Sequence, residues 1–458
     1  MLSKDPWREV RTRRAFTAES ITAIVASCAA GRLAAGQTLV ETAGGVLADY
    51  AHRPDPATRV ETVSDGELMG GRYRTARLVS QAWRGVEWTH ELSMYVPDGL
   101  AADVDTMLLW IDGGSAGKLP TPDSGPTNAV KTLALVANAA GLPAAVVRQV
   151  PFQPMFDGLK EDDLIAHTFV EFVRTGDASW PLLLPMVKTA VEAMTAACTA
   201  ARDAWQIEVE QFVLTGASKR GWTTWLTAAV DERVGGAMPM VIDLLSLERH
   251  VELQRASFGG MSEQLVPYTS RGVEELFSTP RGRELVEIVD PYAYRDQLVQ
   301  PKVIALGTND PYWPLESLGL YLDGLEGPRW VSYAPNAGHG LPVMRVGGLV
   351  AALGRHVAGV QRLPTLDWSF TSTPAGVACS LTSDTPPDEV LLWQAGAESR
   401  DFRKARWSST RLAPADGRWQ AEVSRPAHGF NAALIECRYP QEPLPLLLTT
   451  SVHVQAAA

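Results

Sequence analysis

From residue 104 onward, short unbroken apolar runs alternate with longer stretches of helical periodicity. VDTMLLWI (104–111), PAAVVRQVP (143–151), EQFVLTG (210–216), GGAMPMVID (235–243), PKVIALGT (301–308) and PRWVSYAP (328–335) have strand length. Between them, NAVKTLALVANAAG, TTWLTAAVD, SLGLYLDGL and MRVGGLVAALGRHVAGV repeat apolar residues at helical spacing. Strands that are apolar throughout are buried on both faces, and strands alternating with helices predict an α/β domain with a mainly parallel sheet. Two strands are expected within 67–96, the second being WTHELSMYVP. Mainly helical insertions are expected over about 151–204, broken at Trp180–Pro181, and over about 244–298.

The pattern changes near Leu363-Pro364. LDWSFTS, GVACSLTS, EVLLWQA, GRWQAEVS, FNAALIECRY and LPLLLTTSVHV are short alternating segments punctuated by Pro, Gly and Asp. This predicts an all-β sandwich over 363–458, following an α/β domain over 41–362 and an N-terminal segment over 1–40. Cys379, Trp393 and Cys437 follow the order of immunoglobulin-like domains. An inter-sheet disulfide and a pair of buried thiols are both open for the two cysteines, the first only in an oxidising compartment.

With 458 residues, 46% hydrophobic and 20% charged, the chain reads as globular. A formal charge of −11 argues against nucleic-acid binding. No run is long enough for a transmembrane helix. The N-terminus has two readings. TRRAF followed by ITAIVASCAA has the look of a twin-arginine export signal, with a lipid anchor at Cys28; equally, Ile21, Ile24, Val25 and Cys28 form one face of an ordinary helix. No metal site or organic cofactor is implied by the cysteine and histidine spacings.

Chemistry is expected just past the carboxyl ends of the strands. Ser218 ends the run QFVLTGAS and precedes a helix, the context of a nucleophile elbow. The spacing departs from G-x-S-x-G, because Gly221 falls one place late, after Lys219 and Arg220. A simple turn or a helix N-cap is the duller reading. His339 in APNAGHGL and Asp310 in GTNDPYW each follow a separate strand. The order Ser218, Asp310, His339 is that of an α/β-hydrolase triad, with Asp243 the rival acid. The backbone N–H of Lys219, with that of Gly114 or Gly113 in DGGSAGK, would form the oxyanion hole. Arg220 is a candidate for substrate contact, and the two cations open the case of an anionic substrate. Trp180, Trp222 and Trp313 are candidates for a partly apolar pocket, against core packing.

LTGASKRGWTTWLTAAVDERVGGAMPMVIDLL, PKVIALGTNDPYW with PNAGHGLP, and LKEDDLIAHTFVEFVRTGDASWPLLLPMVKTAVEAM resemble the PhoPQ-activated pathogenicity-related proteins. That resemblance runs from about Leu47 to the end. It implies an α/β-hydrolase fold, a triad on Ser218, Asp310 and His339, and export; on that fold the insertions 151–204 and 244–298 are read as a helical cap. A more distant similarity is to glucuronoyl esterases, whose nucleophile is also followed by a cation; it implies that Lys219 helps stabilise an oxyanion. The expectation is a serine hydrolase of carboxylic esters acting on a small-molecule ester or acyl substrate. Its rivals are a non-catalytic binding or signalling protein on the same scaffold and a peptidase.

Overall fold

The computed structural model describes residues 43–457 apart from 102, 118 and 122–124. The Arg pair and Cys28, with the export signal and lipid anchor expected there, lie outside those residues.

The sheet begins as an antiparallel meander of β1 (Arg59–Glu67), β2 (Gly71–Trp83) and β3 (Val86–Pro97). It continues through β4 (Thr106–Ile111), β5 (Ala144–Val147), β6 (Gln211–Ala217), β7 (Val234–Met240), β8 (Lys302–Gly307) and β9 (Arg329–Ala334). In space the order is β1-β2-β3-β5-β4-β6-β7-β8-β9, and from β5 to β9 neighbours run parallel. The apolar runs read from the sequence are these parallel strands, and β5 is buried at every position. β6, which carries Ser218 just beyond its end, lies in the middle.

Helices cover both faces. α1 (Ala43–His52), α4 (Leu183–Trp205) and α5 (Lys219–Val230) bury Leu47, Leu183, Val187, Trp225 and Leu226 in one core layer. α2 (Asn128–Ala140) and α10 (Val343–Val357) bury Val130, Leu133, Leu349 and Val350 in the other. Each such side chain contributes about 1.5–3 kcal/mol when fully buried. Thr127 accepts the Val130 N–H to start α2, and Gly141 in the left-handed region ends it.

The cap consists of α3 (Glu161–Thr175), which packs on α7 (Val266–Thr269), α8 (Val273–Leu276) and α9 (Pro280–Val289), together with α6 (Leu247–Phe258). Of the first expected insertion, 151–204, the second half departs from expectation: α4 lies on β2 and α5. Its long apolar face, from Leu183 to Ala201, needs the sheet to cover it. The stretch 317–325, expected as a helix, makes two 3-10 turns, Ser317–Leu320 and Leu322–Gly324. Tyr321 between them has φ −139° and is buried, its hydroxyl donating to Asp243 at 2.7 Å.

The C-terminal strands form two antiparallel layers. β10 (Leu366–Ser372), β11 (Gly376–Ser383), β14 (Pro414–Ala415) and β15 (Arg418–Ser424) make one. β12 (Glu389–Ala397), β13 (Ser408–Arg411), β16 (Phe430–Tyr439), β17 (Leu446–Thr449) and β18 (His453–Ala456) make the other. This second layer is not free-standing, because β17 pairs with β9 at Thr449 and Val331 and so extends the main sheet. Beside the join, buried Arg345 of α10 donates to Glu436 of β16 and to the Tyr333 carbonyl. Cys379 on β11 and Cys437 on β16 are unbridged, and burial pushes their thiols up to about 11 and about 12. Among the described residues no helix is long and apolar enough to cross a membrane.

Candidate active site

Ser218 stands between β6 and α5 with φ 57° and ψ −126°. Such a backbone costs a non-glycine residue about 1–3 kcal/mol, and it persists only where the surroundings impose it. Here they do. The Ser218 N–H donates to the Met240 carbonyl at the end of β7 (2.8 Å), while its own carbonyl accepts the Trp222 N–H (2.9 Å). Although Ser218 occupies the N-cap position of α5, its hydroxyl makes no capping bond. The N-cap reading of the Gly-Ala-Ser turn is therefore not what the side chain does.

The late glycine has a packing cause. A Cβ on Gly221 would stand 2.8 Å from Ile242 Cγ2 and 2.9 Å from the Gly216 carbonyl oxygen; one on Gly216 would stand 2.6 Å from the Arg220 carbonyl oxygen. Helix α5 leaves the elbow so close to β6 and β7 that both positions must lack a side chain.

Asp310 and His339 meet. His339 Nδ1 lies 2.8 Å from Asp310 Oδ2 and 3.0 Å from Oδ1, and Oδ1 also accepts the Tyr312 N–H at 2.9 Å. The contact depends on Gly307 at the end of β8, where a Cβ would be 2.2 Å from the Gly338 carbonyl oxygen. The loop bearing His339 crosses that spot. The other imidazole nitrogen, Nε2, is buried and makes no hydrogen bond among the described residues, with the Ser218 hydroxyl or any other group. The Tyr312 ring packs on the imidazole with centroids 4.3 Å apart.

Asp243 is placed elsewhere. It is buried against Tyr321, and burial, helped by the nearby Asp310 charge, pushes its carboxyl up to about 8. Both causes favour the neutral carboxyl, the form less suited to steadying an imidazolium.

A cavity opens at Ser218 under the cap, and Tyr312, Trp222 and Trp313 share its wall. Trp222 donates to the Val289 carbonyl and Trp313 to the Val241 carbonyl at 3.1 Å. Trp180 is not at this wall; it packs against Trp83, Phe156 and His167, under the Arg84 guanidinium.

The cations after Ser218 turn to the cap. Arg220, expected on the substrate, grips Glu161 at the start of α3 with two 2.8 Å bonds and also donates to the Val150 carbonyl. Its guanidinium lies over Gly113, 2.6 Å from where a Cβ would be. Lys219 Nζ lies 2.9 Å from Glu161 and 3.4 Å from Asp162. Burial works against the Glu161 carboxylate, yet Arg220 and Lys219 overcome it and hold the carboxyl down at about 2. In the loop after β4, Gly113 accepts the Gln149 N–H (3.1 Å) and Gly114 accepts Gln153 Nε2 (3.1 Å).

Comparison with known proteins places the chain. The sequence pattern of the PhoPQ-activated pathogenicity-related proteins matches residues 47–403. The chain belongs to that family. It is 28% identical over 429 residues to autocrine proliferation repressor protein A of Dictyostelium discoideum, an alignment covering 86% of this chain and 85% of that protein. An acetyl xylan esterase from Paenibacillus sp. R4 superposes with a TM-score of 0.49 at 13% identity, covering 69% of this chain and 92% of the esterase. The glucuronoyl esterase from Solibacter usitatus superposes with a TM-score of 0.36, also at 13% identity, covering 69% and 80%.

In this PhoPQ-activated pathogenicity-related protein, the site residues that sequence reading did not single out are Glu161, Asp162, Tyr268 and Tyr312. The hydroxyls of Tyr268 and Tyr312 approach Asp162 at 3.2 and 3.4 Å. Tyr312, two places after Asp310, was within reach of a local signal. The acids were not, because Glu161, Asp162 and Asp163 look like the ordinary acidic first turn of a helix.

Proposed function

We propose that the protein is a serine hydrolase of carboxylic esters. Ser218 Oγ attacks the carbonyl while His339 Nε2 takes its proton, and Asp310 holds the imidazole tautomer with Nδ1–H toward the carboxylate. The tetrahedral oxyanion is received by the backbone N–H of Lys219, the first of α5 and without an intrahelical acceptor by position, together with that of Gly114 or Gly113. Collapse breaks the ester C–O bond, and the departing alkoxide takes the proton from Nε2. Water then attacks the acyl-enzyme, passing one proton through Nε2 back to Ser218 and releasing the acid. Nε2 meets the serine hydroxyl only once substrate is bound, as catalytic hydrogen bonds often tighten in that complex.

The observation that carries this reading is the Asp310–His339 pair, with one imidazole nitrogen engaged and the other unpartnered, on the same rim as a strained, uncapped serine. Labelling with a fluorophosphonate probe tests it. Wild type is expected to be modified at Ser218, and Ser218→Ala to resist. A folded wild type that resists the probe would favour a binding protein on a hydrolase scaffold.

A further inference from the structure

Phe169, Trp222, Ile242, Leu244, Leu265 and Phe277 are among the apolar residues that wall the cavity at Ser218. These come from α3, α5, the exit of β7 and the cap turns. Charged groups reach it, but each has a partner. Lys219 is held by Glu161 and Asp162, Asp162 takes the hydroxyls of Tyr268 and Tyr312, and Glu274 lies 3.5 Å from Arg255. His250 at the wall is pushed down to about 3 by burial and is neutral near pH 7. A carboxylate entering here would meet no unpaired cation among the described residues. An anion buried without a partner is strongly penalised.

Position separates the two halves of an ester. The leaving group must lie against His339 to take its proton. His339 is not part of the cavity wall, whereas Ser218 and Lys219 are. The cavity thus reaches Ser218 itself, while toward the imidazole its wall is Tyr312, whose ring packs on His339.

We propose that this cavity is the acyl pocket and that the acyl group it takes is an uncharged hydrocarbon or aromatic chain. The inference rests on the hydrolase reading above. It replaces the sequence expectation of an anionic substrate, because the cap consumes the cations on which that expectation stood.

The test uses p-nitrophenyl esters of straight acyl chains from acetyl to octanoyl, plus the ω-carboxylate analogue of the hexanoyl ester. The apolar wall predicts that kcat/KM rises about fourfold per methylene until the cavity is filled. The carboxylate analogue should fall about 100-fold or more below its neutral counterpart. Leu265→Trp, which narrows the cavity, should cut the hexanoyl-to-acetyl ratio about tenfold. A flat or falling wild-type series, or a carboxylate analogue turned over as well as the neutral ester, overturns the proposal. Fluorophosphonate titration of the same preparation separates the two levels. A labelled enzyme with a flat series removes this inference alone; an enzyme that cannot be labelled removes the hydrolase reading and this inference with it.

Discussion

At the residue scale, two acids with the same side chain have opposite prospects. Asp310 is engaged by His339 Nδ1 and by the Tyr312 N–H. Asp243 is buried against Tyr321, and burial with the nearby Asp310 charge pushes its carboxyl up to about 8. Asp310→Asn is expected to lower kcat for ester hydrolysis by about 10⁴, because the amide favours the wrong imidazole tautomer. Asp243→Asn should cost less than about tenfold. Equal losses in a steady-state assay would show that the acid has been misassigned. The elbow supplies a second prediction. Gly221→Ala pushes a methyl into Ile242 and two backbone carbonyls, so urea denaturation should show a loss of about 1–3 kcal/mol. A variant as stable as wild type would mean that α5 can shift away at no cost.

At the scale of elements, the contact between α5 and α3 joins the Ser218 turn to the cap. Arg220 and Lys219 leave the elbow helix and close on Glu161, the first residue of the cap helix. The Glu161 carboxyl titrates at about 2 in the folded chain against the ordinary 4.5. Its contribution is therefore complete above pH 4.5 and is lost as pH falls through 2. The gap in melting temperature between wild type and Glu161→Gln should be constant from pH 8 to 5 and narrow between 4.5 and 2. A gap unchanged at pH 2 would show that the ion pair is not its source. The sequence made both cations visible and left their partners open, since a carboxylate fifty-odd residues upstream is chosen by the packing of α3 over the elbow.

Across the whole molecule, the C-terminal layers are tied to the site. Asn309, next to Asp310, reaches the carbonyls of Phe402 (3.2 Å), Arg403 (3.3 Å) and Ala405 (2.7 Å). Asn336, three before His339, exchanges bonds of 2.8 and 3.0 Å with the backbone of Trp407. Arg403 in the same segment pairs with Glu263 of the cap at 2.6 Å and lies over the Phe258 ring. One C-terminal loop thus touches the Asp310 loop, the His339 loop and the cap. Removing everything after residue 362 would strip these contacts and bare the β9 edge that β17 covers. Such a chain is expected to be insoluble or to aggregate on size-exclusion chromatography. A soluble monomer with wild-type esterase activity would show that the two parts are independent.

Local pattern determined much of this protein. The buried strands, the helices between them apart from 317–325, the short alternating strands after 363 and the strand-end positions of Ser218, Asp310 and His339 follow from residue type and spacing, because burial on two faces and the needs of a tight turn leave direct marks on neighbouring residues. Tertiary structure alone decided what depends on partners distant in the chain. Asp310 rather than Asp243 reaches the imidazole because Gly307 lets the His339 loop cross β8. Lys219 and Arg220 face the cap because α3 presents its acidic first turn there. The larger C-terminal layer continues the main sheet because β9 leaves an edge whose N–H and C=O groups must be paired. Side-chain periodicity records which face is buried, but not which of several carboxylates or strand edges will arrive to meet it.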